Sequence, residues 1–256
     1  MRLENKVAIV TGAGTGIGKA IAVRFAQEGA AVVIDYVGKP DSAAQVVQQI
    51  EGAGGKALAA EADISQPDQV QHLIDQTVQK FGRLDILVNN AGVETKIPFL
   101  EIPLEVWSKT LAVDLTGPFL CAQAAAKRMI SQGGSGGRII NISSVHEDLP
   151  MPTNAAYCAA KGGLRMLMRT ICVELASQGI TVNNIGPGAI DTPMDAPLKA
   201  HPEMMKALLA EIPVGRMGTP EEIAGLATYL ASEEAGYITG STYFIDGGML
   251  RQSGSL

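Results

Sequence analysis

Tyr157 and Lys161 have the side-chain types and the spacing that proton transfer requires. They stand four residues apart in a segment, 155–177, that predicts a long helix, so both side chains lie on one helix face, one turn apart. An ammonium group beside a phenol favours the phenolate, and we expect it to lower the pKa of Tyr157 from its unperturbed value of about 10. A tyrosine of this kind can act as a general acid and base near neutral pH.

Ser144 provides a hydroxyl group in the same part of the sequence. It stands at the end of an apolar run, 138–142, that predicts a strand, and it precedes Tyr157 by thirteen residues. At the carboxyl end of a parallel strand, a side chain lies on the edge of the sheet where ligands bind. A Tyr-x-x-x-Lys spacing alone most often marks an exposed pair. The prediction therefore depends on finding this spacing together with Ser144 and with a nucleotide-binding turn.

A glycine-rich turn of that kind occupies residues 11–18, which read TGAGTGIG. The turn follows a predicted strand and opens a predicted helix, which is the context that phosphate binding requires. Gly12 allows a tight turn, Gly16 lets the backbone approach a pyrophosphate, and Gly18 permits close packing of the helix. The N-terminus of the helix then offers free N–H groups to an anion. A purely structural turn could use the same glycines, but its place in the first strand–helix unit favours a dinucleotide site.

Apolar runs of strand length alternate with segments of helical period along the whole chain. The predicted strands are 6–10, 31–34, 56–62, 84–88, 138–142, 180–184 and 243–245. The predicted helices are 18–28, 42–50, 67–82, 104–130, 155–177, 202–211 and 219–231. This alternation predicts an α/β fold, a doubly wound parallel sheet of about seven strands with helices on both faces. We expect one domain over 1–256, in which 189–218 forms an irregular lobe that covers the substrate.

Composition and charge argue against several classes of partner. The 256 residues carry a net charge of −6 without a Lys/Arg cluster, so we do not expect nucleic-acid binding. No apolar stretch is long enough to span a membrane, and the N-terminus does not resemble a signal peptide. The three cysteines lack metal-ligand spacing. We therefore expect a cytoplasmic protein with a small-molecule substrate, without a membrane, metal or nucleic-acid partner.

Five motifs together resemble the short-chain dehydrogenase/reductase family over residues 3–250. They are TGAGTGIG (11–18), NNAG (89–92), ISS (142–144), YCAAK (157–161) and IGPG (185–188). The resemblance implies a Rossmann-type sheet and an enzyme that transfers a hydride between a nicotinamide and a carbon bearing a hydroxyl or carbonyl group. It implies that Tyr157 is the acid and base, that Ser144 anchors the substrate oxygen, and that Lys161 bridges the ribose hydroxyls and Tyr157. It also implies a homotetramer in which the long helices 104–130 and 155–177 pack between subunits.

The resemblance further implies a set of cofactor-binding residues. They are Gly12, Thr15, Gly16, Ile17, Gly18, Asp35, Tyr36, Asp63, Ile64, Asn90, Ala91, Gly92, Tyr157, Lys161, Pro187, Gly188, Ile190 and Thr192. Asp35 ends the second strand, where an acidic residue binds the ribose hydroxyls of NAD and repels a 2′-phosphate. Many NAD-preferring relatives place this acid where Tyr36 stands, and sugar dehydrogenases often have Arg at Val37, for which Lys39 could partly substitute. We expect NAD as the cofactor, with NADP as the alternative.

Asp114 departs from the pattern of the family, whose catalytic set normally has Asn at this place in the segment VDLTGPF (113–119). In relatives this residue holds a helix kink and supports a water relay to the lysine. If the backbone carbonyl performs that role, Asp114 is tolerated. If the side chain matters, a carboxylate near Lys161 changes the proton relay or the pH optimum.

Within the family, the chain looks most like bacterial glucose 1-dehydrogenases. The similarity lies in NNAGVE (89–94), SSVHE (143–147) and GPGAIDTP (186–193), and it implies that Glu94, His146 and Asp195 approach the sugar hydroxyls. The plain alternatives are a solvated loop charge for Glu94 and a packed loop histidine for His146. Two other functions remain open, a 3-oxoacyl-carrier-protein reductase or general carbonyl reductase and a dinucleotide-binding sensor without catalysis. Retention of Ser144, Tyr157 and Lys161 argues against the sensor.

Overall fold

The strands of the protein form one parallel sheet that winds outward in both directions from its centre. The computed structural model describes residues 1–133, 136–193 and 200–251. The strands are β1 Val7–Val10, β2 Ala31–Tyr36, β3 Lys56–Glu61, β4 Ile86–Asn89, β5 Gly137–Ile142, β6 Ile180–Pro187 and β7 Thr242–Ile245. Across the described residues the sheet has seven strands in the order β3-β2-β1-β4-β5-β6-β7. The predicted single-domain, Rossmann-type doubly wound sheet is confirmed. The order of the strands reverses between β1 and β4, which is the place where ligands bind in such folds.

Helices cover both faces of the sheet. They are α1 Gly16–Gln27, α2 Pro40–Gly52, α3 Pro67–Phe81, α4 Leu104–Leu111, α5 Gly117–Ser131, α6 Ala155–Leu175, α7 Pro202–Ala210 and α8 Pro220–Ala231. One hydrophobic core joins α1, α2 and α8 to the sheet, and a second joins α3, α5 and α6 to the opposite face. In β1, Ala8 and Val10 enter the first core, whereas Ile9 enters the second. Burial on both faces explains why the central strands are continuous apolar runs without polar alternation.

The helix predicted over 104–130 is not continuous, and in this respect the sequence-based prediction was wrong. A π-helical turn, Ala112–Thr116, separates α4 from α5. Pro118 has no N–H to donate to the carbonyl four residues earlier, which belongs to Asp114, so a regular α-helix cannot pass this point. The wider turn accommodates the missing bond, and π turns of this kind are frequent at functional sites. Asp114 lies within the turn and is fully buried.

The predicted beginning of the last helix is confirmed in atomic detail. Thr219 Oγ1 accepts the N–H of Glu222 at 3.4 Å, and Glu222 Oε2 accepts the N–H of Thr219 at 2.8 Å. This reciprocal capping box satisfies two of the N–H groups that a helix N-terminus leaves unbonded. Within the described part of the chain, no helix is both long enough and apolar enough to cross a membrane.

Candidate active site

The glycine-rich turn after β1 has a backbone without side chains at the positions where a phosphate would approach. Gly12 and Gly16 have φ values of +60° and +55°, which favour glycine. A Cβ added to Gly18 would lie 2.4 Å from Asn90 Nδ2 and 2.7 Å from the carbonyl oxygen of Gly12. Thr15 is the N-cap of α1 but its side chain makes no capping hydrogen bond, and the first turn of α1 has no acidic residue. The N–H groups of this helix terminus are therefore available to an anion.

A second turn, after β4, holds the glycine-rich turn in place. Asn90 Nδ2 donates to the carbonyl oxygens of Thr11 and Gly12 at 2.8 and 3.2 Å. Thr11 Oγ1 in return accepts the N–H groups of Asn90 and Ala91 at 2.9 and 3.0 Å. These four hydrogen bonds join the two turns at the point where the order of the strands reverses.

The segment that follows β6 borders the same turn. The Thr192 side chain lies 3.6 Å from the position of a Cβ on Gly16, and the N–H of Gly188 donates to the carbonyl of Ile245 at 2.9 Å. A Cβ on Gly188 would lie 2.8 Å from the Cα of Asp246, so only glycine fits there. Asp195, predicted to approach the substrate, lies outside the described residues. The cradle formed by these segments and by the uncapped α1 terminus fits a nicotinamide dinucleotide.

Ile64 and Asp63, which are predicted to face the adenine, make contacts within the protein. Ile64 is buried and packs on Gly117 at the start of α5. Asp63 Oδ1 accepts hydrogen bonds from the backbone N–H and the hydroxyl group of Ser65, at 3.0 and 2.7 Å. Any contact of these two residues with adenine stays a prediction.

Asp35 lies beneath the glycine-rich turn rather than at the surface. Only 1% of its surface is exposed, and its Oδ2 accepts the N–H of Gly12 at 3.2 Å. Burial raises the pKa of its carboxyl group to about 8, against the lowering effect of the Gly12 hydrogen bond. The structure thus gives Asp35 a role in bracing the turn, and its contact with a ribose stays a prediction.

The structure brings Ser144, Tyr157 and Lys161 together at the carboxyl edge of the sheet. Lys161 Nζ lies 5.3 Å from the centre of the Tyr157 ring and donates to the carbonyl of Ile142 at 3.2 Å. Ser144 is the N-cap of a short 3₁₀ turn, and its Oγ accepts the N–H of His146 at 3.1 Å. A strand end and one helix face therefore converge as the spacing predicts.

The pKa of Tyr157 departs from the expectation drawn from the sequence. Burial raises this pKa above its usual value, while the charge of Lys161 and a hydrogen bond with Ser144 lower it without cancelling the effect of burial. The predicted lowering was therefore wrong in its net direction, although Lys161 acts in the predicted sense. The degree of burial depends on tertiary packing and was not readable from the four-residue spacing.

Asp114 meets Lys161 through its side chain. Its Oδ1 accepts the N–H of Val93 at 2.8 Å, and its Oδ2 lies 3.4 Å from Lys161 Nζ, with both side chains almost wholly buried. Burial raises the pKa of Asp114, and the Lys161 ammonium counteracts this. Burial by itself lowers the pKa of Lys161, but Tyr157 and Asp114 outweigh it and the net pKa is raised. Lys161 is therefore a charged ammonium beside the tyrosine.

Of the residues predicted to approach the sugar hydroxyls, the structure describes His146 and Glu94, and His146 borders Tyr157. The His146 ring stands edge-on to the Tyr157 ring, with centres 6.3 Å apart, and its Nδ1 faces the Leu149 carbonyl at 3.0 Å. Glu94 Oε1 accepts Nδ2 of Asn154, the N-cap of α6, at 2.6 Å. Glu94 is therefore tied to the helix that carries Tyr157 rather than being a free loop charge.

A row of buried side-chain amides behind the site was missed in the sequence analysis. Asn89 Nδ2 donates to Asn141 Oδ1 at 2.9 Å, and Asn141 Nδ2 donates to Asn184 Oδ1 at 2.9 Å. Asn184 Nδ2 donates to Glu147 Oε2 at 3.1 Å, and Arg165 Nε lies 3.6 Å from Glu147 Oε1. The row fixes the loop after β5, which carries Ser144, to β6 and α6. The sequence signal that could have revealed this row was an asparagine inside each of three apolar strands.

Comparison with known proteins gives matches over nearly the whole chain. The family model described as Enoyl-(Acyl carrier protein) reductase matches residues 12–250. Glucose 1-dehydrogenase 2 of Bacillus subtilis is 43% identical over 249 residues, covering 96% of this chain and 95% of that protein. A 3beta-hydroxysteroid dehydrogenase 1 of Eggerthella lenta is 43% identical, covering 96% and 94%. A 3-oxoacyl-[acyl-carrier-protein] reductase of Synechocystis is 44% identical, covering 97% and 98%.

Solved structures are similar over the same extent. A short-chain type dehydrogenase/reductase from Mycobacterium marinum matches with a TM-score of 0.93 and 40% identity, covering 98% of this chain and 97% of that one. A structure from Agrobacterium tumefaciens that contains bound NADP matches with a TM-score of 0.90 and 37% identity, covering 98% of each chain. This family binds nicotinamide dinucleotides. The fold, the site and these relatives together show that the chain is an oxidoreductase and belongs to the short-chain dehydrogenase/reductase family.

Proposed function

We propose that this enzyme transfers a hydride between a nicotinamide dinucleotide and a secondary alcohol or carbonyl group, with a sugar such as glucose as its substrate. The observation that carries the chemistry is the convergence of Ser144, Tyr157 and Lys161 at the carboxyl edge of the sheet, with the Lys161 ammonium 5.3 Å from the centre of the phenol ring. A proton-transfer group, a hydroxyl anchor and a fixed cation are the parts that this reaction needs from the protein.

The side chains have distinct tasks in this mechanism. The bound nicotinamide supplies the hydride for reduction or accepts it for oxidation. Tyr157 donates its phenolic proton to the substrate oxygen during reduction, and as a phenolate it removes the hydroxyl proton during oxidation. The Ser144 hydroxyl holds that oxygen by a hydrogen bond. The Lys161 ammonium stabilises the phenolate, and it would also hold the ribose of the cofactor.

Asp114 acts in this mechanism as a positioning residue. Its carboxyl group lies 3.4 Å from Lys161 Nζ and is held by the N–H of Val93. The charge of Asp114 also raises the pKa of Tyr157. Oxidation needs the phenolate, so this carboxylate displaces the active pH range of oxidation upward.

Replacing Asp114 with Asn should therefore move the acidic limb of the pH profile for alcohol oxidation to lower pH. The amide retains the acceptor for Val93 but loses the charge, so the pKa of Tyr157 falls. The measurement is kcat/KM against pH for the wild type, Asp114→Asn and Glu105→Gln, which removes an exposed carboxylate from α4. An acidic limb that stays in place in Asp114→Asn would show that only the backbone at this position matters.

The polar groups around Tyr157 support a sugar substrate. His146 borders the Tyr157 ring, and Glu94 is bonded to the N-cap residue of the helix that carries Tyr157. A polyol requires several donors and acceptors to replace its hydration. We propose that these residues contact the sugar hydroxyls, that Asp195 adds a third contact, and that the lobe 189–218 covers the substrate. The main alternative is a 3-oxoacyl-carrier-protein or general carbonyl reductase. Identities of 43%, 43% and 44% to relatives with three different substrates do not rank these functions.

A homotetramer accords with the exposed apolar side chains on the two long helices. Phe119 and Ile130 on α5 are 41% and 46% exposed, and Met166 and Val173 on α6 are 57% and 76% exposed. Such side chains favour burial between subunits.

A cytoplasmic location stays a prediction from the sequence.

The test of the proposed function is the absorbance of the reduced nicotinamide when purified protein is given D-glucose with NAD and, in parallel, with NADP. Rapid reduction that requires Tyr157 would support the sugar dehydrogenase and rank the two cofactors. Absence of reduction, in a preparation that oxidises NADH or NADPH with a β-keto ester, would refute glucose and favour the carbonyl reductase.

A further inference from the structure

An acidic side chain occupies the turn that follows β2. Glu61, the last residue of β3, is in register with Tyr36, the last residue of β2. Its Oε1 accepts the N–H of Gly38 at 3.1 Å, although the side chain is otherwise exposed. A Cβ on Gly38 would meet no atom within 4 Å, so the turn is open to the surroundings. Glu61 was not among the predicted site residues.

This turn lies where a dinucleotide fold distinguishes its two cofactors. An acidic group near the end of the second strand accepts the ribose 2′-hydroxyl of NAD, whereas a cation there accommodates the 2′-phosphate of NADP. Asp35 is 1% exposed and its carboxyl group is engaged with the N–H of Gly12. The next two residues, Tyr36 and Val37, carry no charge. Glu61 is therefore an exposed carboxylate that bonds directly to the backbone of this turn.

The other charges nearby do not compensate for Glu61. Lys39, the N-cap residue of α2, is followed by the opposite charge of Asp41 in the first turn of the same helix. On the β3 side, Asp63 adds a further carboxylate. A 2′-phosphate, which carries about −1.5 to −2 charges, would meet a net acidic surface. It would also find the Gly38 N–H, a donor of the kind that binds phosphate, already bonded.

We infer that Glu61 is a specificity-determining residue that directs this enzyme to NAD by occupying the Gly38 N–H and by repelling a 2′-phosphate. The inference rests on the proposed function, because it assumes that the cradle holds a nicotinamide dinucleotide. Two unit charges about 4 Å apart in water interact strongly enough for about a fivefold change in an equilibrium constant. With two negative charges on the phosphate, removing the Glu61 charge changes the affinity for NADP about tenfold or more.

The experiment measures the affinity for NADH and NADPH separately, by the change in nicotinamide fluorescence on binding to the whole protein. Glu61→Gln keeps an oxygen that can accept the Gly38 N–H and removes only the charge. We expect its Kd for NADPH to fall about tenfold, while its Kd for NADH stays within about twofold. Glu61→Lys should lower the Kd for NADPH further. Raising the ionic strength should reduce the difference between the wild type and the variant in their Kd for NADPH.

Glu51→Gln is the matched control. It removes the same charge from the C-terminal end of α2, and a helix of 13 residues places it about 20 Å from the turn, beyond the screening length. A ratio of the two Kd values that changes less than twofold in Glu61→Gln would overturn the inference, and so would a wild type that binds NADPH more tightly than NADH. A wild type that binds neither nucleotide would refute the proposed function itself, which is a different result.

Discussion

Tyr157→Phe should reduce kcat about a thousandfold in both reaction directions, because general acid–base catalysis by a positioned side chain contributes about 10² to 10⁴. The ring remains, so the edge-on contact with His146 and the packing against Lys161 persist. Only the hydroxyl group that carries the proton is lost. We therefore expect the Kd for the nicotinamide cofactor and the melting temperature to stay close to those of the wild type.

Steady-state rates and a cofactor titration on the same preparations test this expectation. Tyr237→Phe is the matched control, since it removes the same atom from a side chain that is fully exposed. A Tyr157→Phe enzyme that keeps a rate within tenfold of the wild type would show that another group moves the proton. The candidates nearest the ring would then be His146 and Lys161.

Gly18→Ala should disrupt the cradle itself. The new Cβ would lie 2.4 Å from Asn90 Nδ2 and 2.7 Å from the Gly12 carbonyl oxygen, so either Asn90 or the turn must move. Overpacking of this kind costs about 1–3 kcal/mol, and loss of the Asn90 hydrogen bonds adds to it. We expect the melting temperature to fall by about 5 °C or more and the affinity for the nicotinamide cofactor to fall at least tenfold.

Thermal unfolding and cofactor titration of Gly18→Ala and Gly52→Ala provide the comparison. Gly52 ends α2, and a Cβ there would meet no atom within 4 Å. Alanine at Gly52 should leave cofactor binding unchanged and should hold or slightly raise the stability, because alanine favours helix more than glycine. If the two variants had the same melting temperature and the same affinity for the cofactor, the close approach at Gly18 would have no role in cofactor binding.

Much of the fold could be predicted because the signals were local. Buried strands are apolar runs in the sequence, helices show their period, and the range predicted for the last helix, 219–231, begins at the N-cap residue of α8. The convergence of Ser144 with Tyr157 followed from the rule that ligands meet the carboxyl edge of a parallel sheet. For these features, position along the chain and position in space are linked by simple geometry.

The break at Ala112–Thr116 had a local sequence signal in Pro118, which the periodicity of the surrounding helix obscured. The other features that could not be predicted depend on tertiary packing. The net pKa of Tyr157 depends on how much water the folded chain excludes, which no spacing reveals. The amide row from Asn89 to Asn184 requires the register of three strands that are distant in sequence.

The buried carboxyl group of Asp35 links the proton balance of the protein to its folding. Its pKa is about 8 in the folded protein and about 3.9 in an unfolded chain. Between these values the folded state retains a proton that the unfolded state gives up, so unfolding releases acid and the free energy of unfolding falls as the pH rises. Alcohol oxidation, which needs the phenolate of Tyr157, becomes faster over the same rise in pH. The contribution of Asp35 to stability is therefore smallest in the alkaline range that favours the phenolate of Tyr157.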